Sequence, residues 1–206
     1  LAIEPVDGDH FDVTAMDFAS QYPSIIKVNN LSYETVRCPH EECKKNTIPG
    51  TAHWRCTKKN GLTSLIIGSL RDLRVNYYKS LSKKENITDE QKQLYTVVSQ
   101  ALKVILNASY GVMGAEIFPL YFLPAAEATT ALGRHIIMDT IEKCKGIQLD
   151  VLYGDTDSLF VKKPTAQQIE DVIKLAKKDH GVELEIDKDY RYVVLSNRKK
   201  NYFGVT

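Results

Sequence analysis

No apolar run in this sequence reaches the roughly 18 to 20 residues that a membrane-spanning helix requires. Nor does a basic n-region precede an apolar h-region, so no secretory signal is visible. Neither sign of charge dominates: 27 Lys and Arg stand against 26 Asp and Glu, a formal net charge of +1. The strongly basic footprint of many nucleic-acid-binding domains is therefore missing, although local patches matter more than totals and acidic metal ligands offset basic contacts. Cysteine is scarce, and with no sign of export the four residues read as reduced thiols or metal ligands, not disulfides. Internal repeats and low-complexity segments are also lacking. The first residue is Leu1, not Met, and the chain stops at Thr206 after a strand-like stretch, so a piece of a longer protein is expected.

What is there is an ordinary globular chain, 43% hydrophobic and 26% charged, and 206 residues suffice to bury a core in one large or two small domains. Its least ordinary stretch is Val151–Val161, VLYGDTDSLFV. Two apolar strand arms, Val151–Tyr153 and Ser158–Val161, enclose a turn of Gly154, Asp155, Thr156 and Asp157. If the strand period holds, Asp155 and Asp157 project to one side. Two carboxylates kept close in a partly dry place repel unless a cation neutralises them, and a hard divalent ion suits oxygen ligands. A solvated Asp-rich turn is the other reading.

Earlier, Val13–Phe18 alternates as VTAMDF, with Val13, Ala15 and Asp17 on one strand face. Pro23 restricts Tyr22 away from the helical region, and Ser24 is placed to cap a short helix from Ile25. Residues 36–61 form a loop-rich excursion. From Leu62, a helical stripe of Leu62, Leu65, Ile66, Leu70, Leu73 and Tyr77 opposes Arg71, Arg74 and Tyr78. A second helix, about Thr88–Ser109, carries Leu94, Val97, Val98, Ala101, Leu102 and Ile105 on its apolar stripe, with Gln100, Lys103, Asn107 and Tyr110 opposite. Gly111 and Gly114 end it. Helices over Pro124–Cys144 and Thr165–His180 and a strand over Glu183–Ile186 follow, then a basic run, Arg198-Lys199-Lys200. Strands and helices mix without regular alternation, which indicates an α+β fold with an inserted helical hairpin.

Asp17, Asp155 and Asp157 on two strands, with Arg and Lys on a hairpin between them in sequence, suit one chemistry. Carboxylates from two strands can hold a pair of Mg²⁺ ions about 3.5–4 Å apart for phosphoryl transfer. Guanidinium and ammonium groups suit a triphosphate.

The wording around these residues is specific. Asp17-Phe18-Ala19-Ser20-Gln21-Tyr22-Pro23-Ser24-Ile25 resembles motif A of the family B DNA polymerases, D-x-x-S-L-Y-P-S-I. Lys103 through Gly111, KVILNASYG, resembles motif B, K-x-x-x-N-S-x-Y-G. Tyr153 through Ser158 matches motif C, Y-G-D-T-D-S, and Lys199-Lys200-Asn201-Tyr202 is similar to the K-K-R-Y stretch. The four come in family order across nearly the whole chain, and the wording looks most like archaeal replicative members. Gln21 stands where Leu is usual, Ala108 where Ser is, and Asn201 where Arg is.

The resemblance implies a polymerase palm, an antiparallel sheet with packed helices, carrying an inserted helical-hairpin fingers subdomain. It divides the chain into palm at 1–35 and 111–206, the loop-rich insertion at 36–61 and fingers at 62–110. It implies template-directed addition of dNTPs to a primer 3′-hydroxyl under two Mg²⁺. Asp17, Asp155 and Asp157 are then catalytic, with Asp17, the Phe18 carbonyl and Asp157 as metal ligands and Asp155 in support. Ser20, Gln21 and Tyr22 would hold the nucleotide, through backbone amides and through the Tyr22 ring as steric gate against a 2′-hydroxyl. Arg74, Lys103, Asn107 and Tyr110 complete the nucleotide set, with Arg71 as an alternative to Arg74. Gly111, Lys199, Lys200 and Tyr202 would touch primer–template DNA, and Glu185 and Asp187 are acidic neighbours of the site. Expected partners are DNA, dNTPs, exonuclease and thumb domains on the same or a partner chain, and a sliding clamp. The expected location is the cytoplasm, at the nucleoid, with no membrane.

The cysteines admit a separate reading. Cys38 and Cys43 with His53 and Cys56 offer three thiolates and an imidazole for a tetrahedral structural Zn²⁺, and His40 is a further candidate. Reduced loop cysteines account for the same residues. Two rival classes remain. A module that has lost catalysis would have lost some of Asp17, Asp157, Lys103 and Asn107, which are intact; a zinc-dependent interaction module rests on residues 38–56 alone.

Overall fold

Strand β1 (Gly8–Phe18) is the middle of a five-stranded antiparallel sheet ordered β2-β3-β1-β4-β5, in a computed structural model that describes residues 3–206. The other strands are β2 (Val151–Asp155), β3 (Ser158–Lys162), β4 (Leu184–Leu195) and β5 (Tyr202–Val205). A central strand must bury both faces, and Val13, Thr14, Ala15, Met16 and Phe18 are all buried, so alternation breaks down there. Val13 and Ala15 meet Leu152, Tyr153, Phe160, Tyr190, Val193 and Leu195 in one apolar cluster. Asp17, at the end of this run, is half-buried.

The chain divides into two compact units. The first comprises the chain up to Gln21 and Gly133–Thr206, and so holds the whole sheet. Helix α6 (Ala166–His180) packs on β4; Thr165 and Gln168 form its capping box, and Gly181, at φ 66°, ends it in the left-handed conformation. The later turns of α5 (Leu123–Gly146) are tied to α6 through Asp139, which accepts from Lys143 and from His180, each at 2.5 Å.

The second unit is Tyr22–Leu132. It contains most of α1 (Gln21–Val28), the loop with a 3₁₀ turn at Glu41–Cys43, helices α2 (Leu62–Asp72) and α3 (Lys79–Leu81) joined by a π-helical turn at Leu73–Tyr78, and α4 (Asp89–Gly114). α2 lies against α1 through small residues. Ser64 Oγ donates to the Ile26 carbonyl at 3.0 Å, and a Cβ on Gly68 would stand 2.8 Å from Lys27 Cγ. Lys27 reaches Asp72 at 2.6 Å. The expected α+β architecture, with a helical hairpin inserted between β1 and β2, is the one found. No helix among the described residues is long and apolar enough to cross a membrane.

Four local expectations change. α1 begins at Gln21 and not at Ile25, because Ser20 makes the sharp turn at φ 49°; Pro23 falls in the first turn, where a missing N–H leaves no bond unmade. β2 extends through Gly154 and Asp155, leaving Thr156 and Asp157 as a two-residue turn; Asp155 lies opposite Ser158, and Thr156 takes φ 51°. The strand period thus ends at Asp155 and cannot orient Asp157. β4 runs on to Leu195, well past Ile186. Most of the hairpin's apolar stripes face outward: Leu62, Leu65, Ile66, Leu73 and Tyr77 are exposed, as are Leu94, Val97 and Ile105, while Leu102 of the second stripe is buried as expected. Close approach through Ser64 and Gly68 turns α2 so that Ser64, Ile67, Gly68 and Arg71 are buried instead; in α4 the buried row is Ser99, Leu102, Leu106 and Met113.

Candidate functional site

The end of β1 and the β2–β3 turn are joined through the backbone. Asp17 lies opposite Ser158 in the β1–β3 register, and the Phe18 amide donates to the Asp157 carbonyl at 2.8 Å. The Asp157 amide donates to the Asp155 carbonyl at 2.6 Å, closing the turn, and Ser158 Oγ donates to the same oxygen at 3.2 Å. Gln21 adds a side-chain clamp: its Nε2 donates to the Thr156 carbonyl at 2.9 Å. This residue departs from the resembled motif, and the clamp is a contact that Leu could not make. Across the other edge of β1, Asp17 is paired with Glu185, whose side chain is exposed, as is that of Asp187.

The charges at the turn are uneven. Asp155 is buried and Asp157 half-buried. Burial lifts the Asp157 carboxyl above the ordinary carboxylate range, and the neighbouring Asp155 charge adds to it; the turn backbone and Lys200 oppose the shift. Two carboxylates on paired backbone, one of them reluctant to ionise, form a donor set that an added divalent cation would relieve. The residues fit Mg²⁺ in that chemical sense.

Lys200 belongs to this cluster. Its Nζ stands 3.6 Å from Asp155 Oδ2, and its amide, in a residue at φ 62°, donates to the Tyr153 hydroxyl at 2.9 Å. Lys199 is exposed, and Tyr202 sets its ring edge-on to Phe160 at 4.9 Å.

The second unit has its own assembly. The Tyr22 and Tyr110 rings lie with centroids 4.8 Å apart, inclined at 51°. Lys103, Asn107 and Tyr110 follow one another at helical spacing along α4, with Lys103, Asn107 and Gly111 exposed. Arg74, inside the π-helical turn, donates from Nε to the Ser99 carbonyl at 3.1 Å, one helical turn before Lys103. Arg71, the alternative to Arg74, is buried in α2 with Nη1 3.3 Å from Asp72 Oδ1.

The cysteine loop also comes together, with one exchange. Cys38, Cys43 and Cys56 are buried, and their sulfurs gather with a ring nitrogen of His40, all within 4.8 Å of one another. His53 is not in this cluster, contrary to its place in the expected ligand set. Arg37 Nε donates to its Nδ1 at 2.8 Å, so Nε2 carries the proton that points to Glu127 Oε2 at 2.7 Å. Both ring nitrogens are committed. The signal for His40 was the pattern Cys38-x-His40-x2-Cys43, whose short spacings a single 3₁₀ turn folds onto one side.

Comparison with known proteins bears on the whole chain. A family model described as DNA polymerase family B matches residues 2–206. DNA polymerase 1 of Saccharolobus solfataricus is 48% identical over 210 residues, and that of Sulfurisphaera ohwakuensis 47% over 208; each match takes in 100% of this chain and 24% of the relative. The chain thus spans about a quarter of the length of the curated relatives it matches. Among solved structures, the family B DNA polymerase of Pyrobaculum calidifontis superposes with a TM-score of 0.79 at 34% identity, covering 99% of this chain and 27% of that one.

Proposed function

The chain belongs to DNA polymerase family B, and from that membership we propose that it is the palm and fingers of a DNA-directed DNA polymerase. The palm would be residues 1–35 and 111–206, and the fingers residues 62–110, with the loop-rich insertion at 36–61. The observation that carries this reading is the backbone bond from Phe18 to the Asp157 carbonyl, which fixes the ends of two carboxylate-bearing segments side by side.

In the proposed reaction a primer 3′-hydroxyl attacks the α-phosphate of a dNTP in line; the new P–O bond forms as the bond to pyrophosphate breaks. Two Mg²⁺ ions, held by Asp17, the Phe18 carbonyl and Asp157, would supply hydroxyl activation and charge neutralisation. The protein's share is positioning and electrostatics. Asp155, backed by Lys200, keeps the turn's negative charge in place. Ser20, in the left-handed conformation just before helical Gln21, sets successive amides in the arrangement that cups anions, and we assign the triphosphate to them. Lys103, Arg74 and Asn107 are assigned to the same nucleotide, and Tyr22, braced by Tyr110, to the face of its sugar. Lys199, Lys200, Tyr202 and Gly111 are assigned to primer–template contacts, which position DNA without reading sequence. Exonuclease and thumb domains, a sliding clamp and a place in the cytoplasm at the nucleoid complete the proposal.

In the full-length parent enzyme, Asp157→Asn is expected to abolish Mg²⁺-dependent primer extension while leaving primer–template affinity within a few fold. Extension at the parent rate would overturn the assignment.

A further inference from the structure

We propose that Cys38, His40, Cys43 and Cys56 bind one Zn²⁺ ion as a structural Cys₃His site, separate from the carboxylates of the polymerase reaction. Zinc bound by thiolate and imidazole sits at about 2.3 Å from sulfur and about 2.0–2.1 Å from nitrogen, so a tetrahedron spaces neighbouring donors roughly 3.5–3.8 Å apart. Cys56 Sγ and His40 Nδ1 are already 3.4 Å apart, and no pair of donor atoms exceeds 4.8 Å. Shifts of about 1 Å or less close the set around an ion.

The surroundings favour a metal over a disulfide. Three thiols converge, and one disulfide would leave the third thiol and the imidazole unused. Sulfur also receives a hydrogen-bond donor, as ligated thiolates do: the Lys58 amide donates to Cys56 Sγ at 3.4 Å, and the Thr57 hydroxyl lies 3.8 Å from Cys43 Sγ. Trp54 packs on the cluster and ties it down by donating from Nε1 to the Cys38 carbonyl at 2.9 Å.

The loop needs such a centre. Between Val36 and Cys56 the backbone makes only a 3₁₀ turn and two isolated bridges, Val36 with Arg55 and Thr47 with Trp54, among its described elements. Yet Cys43 and Ile48 are almost wholly buried there, and an irregular segment of this length rarely holds a core by itself. The 3₁₀ turn, closed by the Cys43 amide on the His40 carbonyl at 3.0 Å, delivers two ligands; the segment Trp54–Cys56 brings the third to Cys38. On binding, three thiols release three protons to solvent, and the neutral imidazole gives a lone pair, leaving a core of charge −1.

Elemental analysis of the full-length parent, expressed with zinc and washed with a weak chelator, tests this without reference to polymerisation. One equivalent of zinc per chain is expected to be lost in Cys43→Ser and in His40→Ala, and kept in Cys144→Ala, whose thiol lies outside the cluster. To guard against a variant that fails to fold, the parent is also stripped and reloaded with Co²⁺. Intense thiolate-to-cobalt charge transfer with tetrahedral visible bands supports the site. Equal zinc in parent and Cys43→Ser, a disulfide among Cys38, Cys43 and Cys56 in peptide mapping, or a cobalt spectrum without thiolate charge transfer overturns it.

Discussion

The amide of Phe18 donates to the carbonyl of Asp157 at 2.8 Å, binding the end of the sheet's central strand to the turn of a hairpin from the far end of the sequence. The contact uses main chain only, so the frame that carries Asp17 and Asp157 does not depend on either carboxylate. A neutral, isosteric side chain at position 157 therefore changes charge and leaves geometry alone, which is why Asp157→Asn separates chemistry from folding. Gln21 reinforces the same turn from its other side through the Thr156 carbonyl.

Replacing Tyr22 tests the proposed sugar selection. Its ring is half-buried and braced at 4.8 Å by Tyr110, so it cannot swing away freely to admit a larger sugar. Tyr22→Val in the full-length enzyme should raise ribonucleotide relative to deoxyribonucleotide kcat/KM at least on the order of tenfold, since one steric contact commonly counts for that much. Single-nucleotide incorporation measures it. Unchanged discrimination removes Tyr22 from this role.

Lys103 is exposed on α4, where truncation opens no cavity. If its ammonium meets a triphosphate, the lost charge-assisted hydrogen bond is worth about 1.5–3 kcal/mol, on the order of 10- to 100-fold in kcat/KM for dNTP. Lys103→Ala should show that fall at unchanged thermal stability and unchanged primer–template affinity. A kcat/KM within a factor of two of the parent makes Lys103 a solvated lysine.

Much of this was readable from residue order. The helices expected to start near Thr88 and Thr165 are found there, and the structure shows Thr88 with Gln91 and Thr165 with Gln168 closing capping boxes at those starts. A hairpin turn between the apolar arms of β2 and β3, and a strand that carries Asp17 to its end at Phe18, follow from apolar residues around polar ones, although the turn is shorter than its composition suggests. What the sequence hid depends on tertiary approach. The apolar stripes of α2 and α4 satisfy a helical period, yet Ser64 and Gly68 decide which face of α2 lies on α1, because small residues let backbones come close. His53 and His40 look equally fit as ligands by composition. Only the positions of Arg37 and Glu127 show that the His53 ring is already engaged.

Gly61 gives a test of packing. Its φ of −81° is open to any residue, so conformational freedom does not explain it. A Cβ there would stand 2.3 Å from Ser32 Cβ, which is fixed to the backbone and cannot rotate away. Gly61→Ala is expected to destabilise the Tyr22–Leu132 unit by about 2–3 kcal/mol through overpacking. Denaturant-dependent hydrogen exchange of α2 and loop amides reads this directly, and a change below about 0.5 kcal/mol, the scatter of a harmless surface substitution, would contradict the close approach.

The cluster around Asp139 sets a pH dependence in the other unit. Burial disfavours its charge, but hydrogen bonds and charge from Lys143 and His180 outweigh that and hold its pKa below the usual 3.8. A carboxylate whose folded pKa is depressed adds stability that is complete above the unfolded value and is lost as pH falls through the folded one. The α5–α6 contact should therefore loosen below about pH 4, near the unfolded carboxylate value. Lys143 carries the opposite sign: burial lowers its pKa, yet Asp139 and Asp179 raise it overall, so its share fades only as pH climbs past its ordinary 10.5. Asp139→Asn should cost about 1 kcal/mol at neutral pH, the scale of a partly exposed charge network. It should also flatten the acid limb for α6 amides in hydrogen exchange. An acid limb of the same depth in parent and variant would assign the pH dependence to other carboxylates and leave the Asp139 contacts without energetic weight.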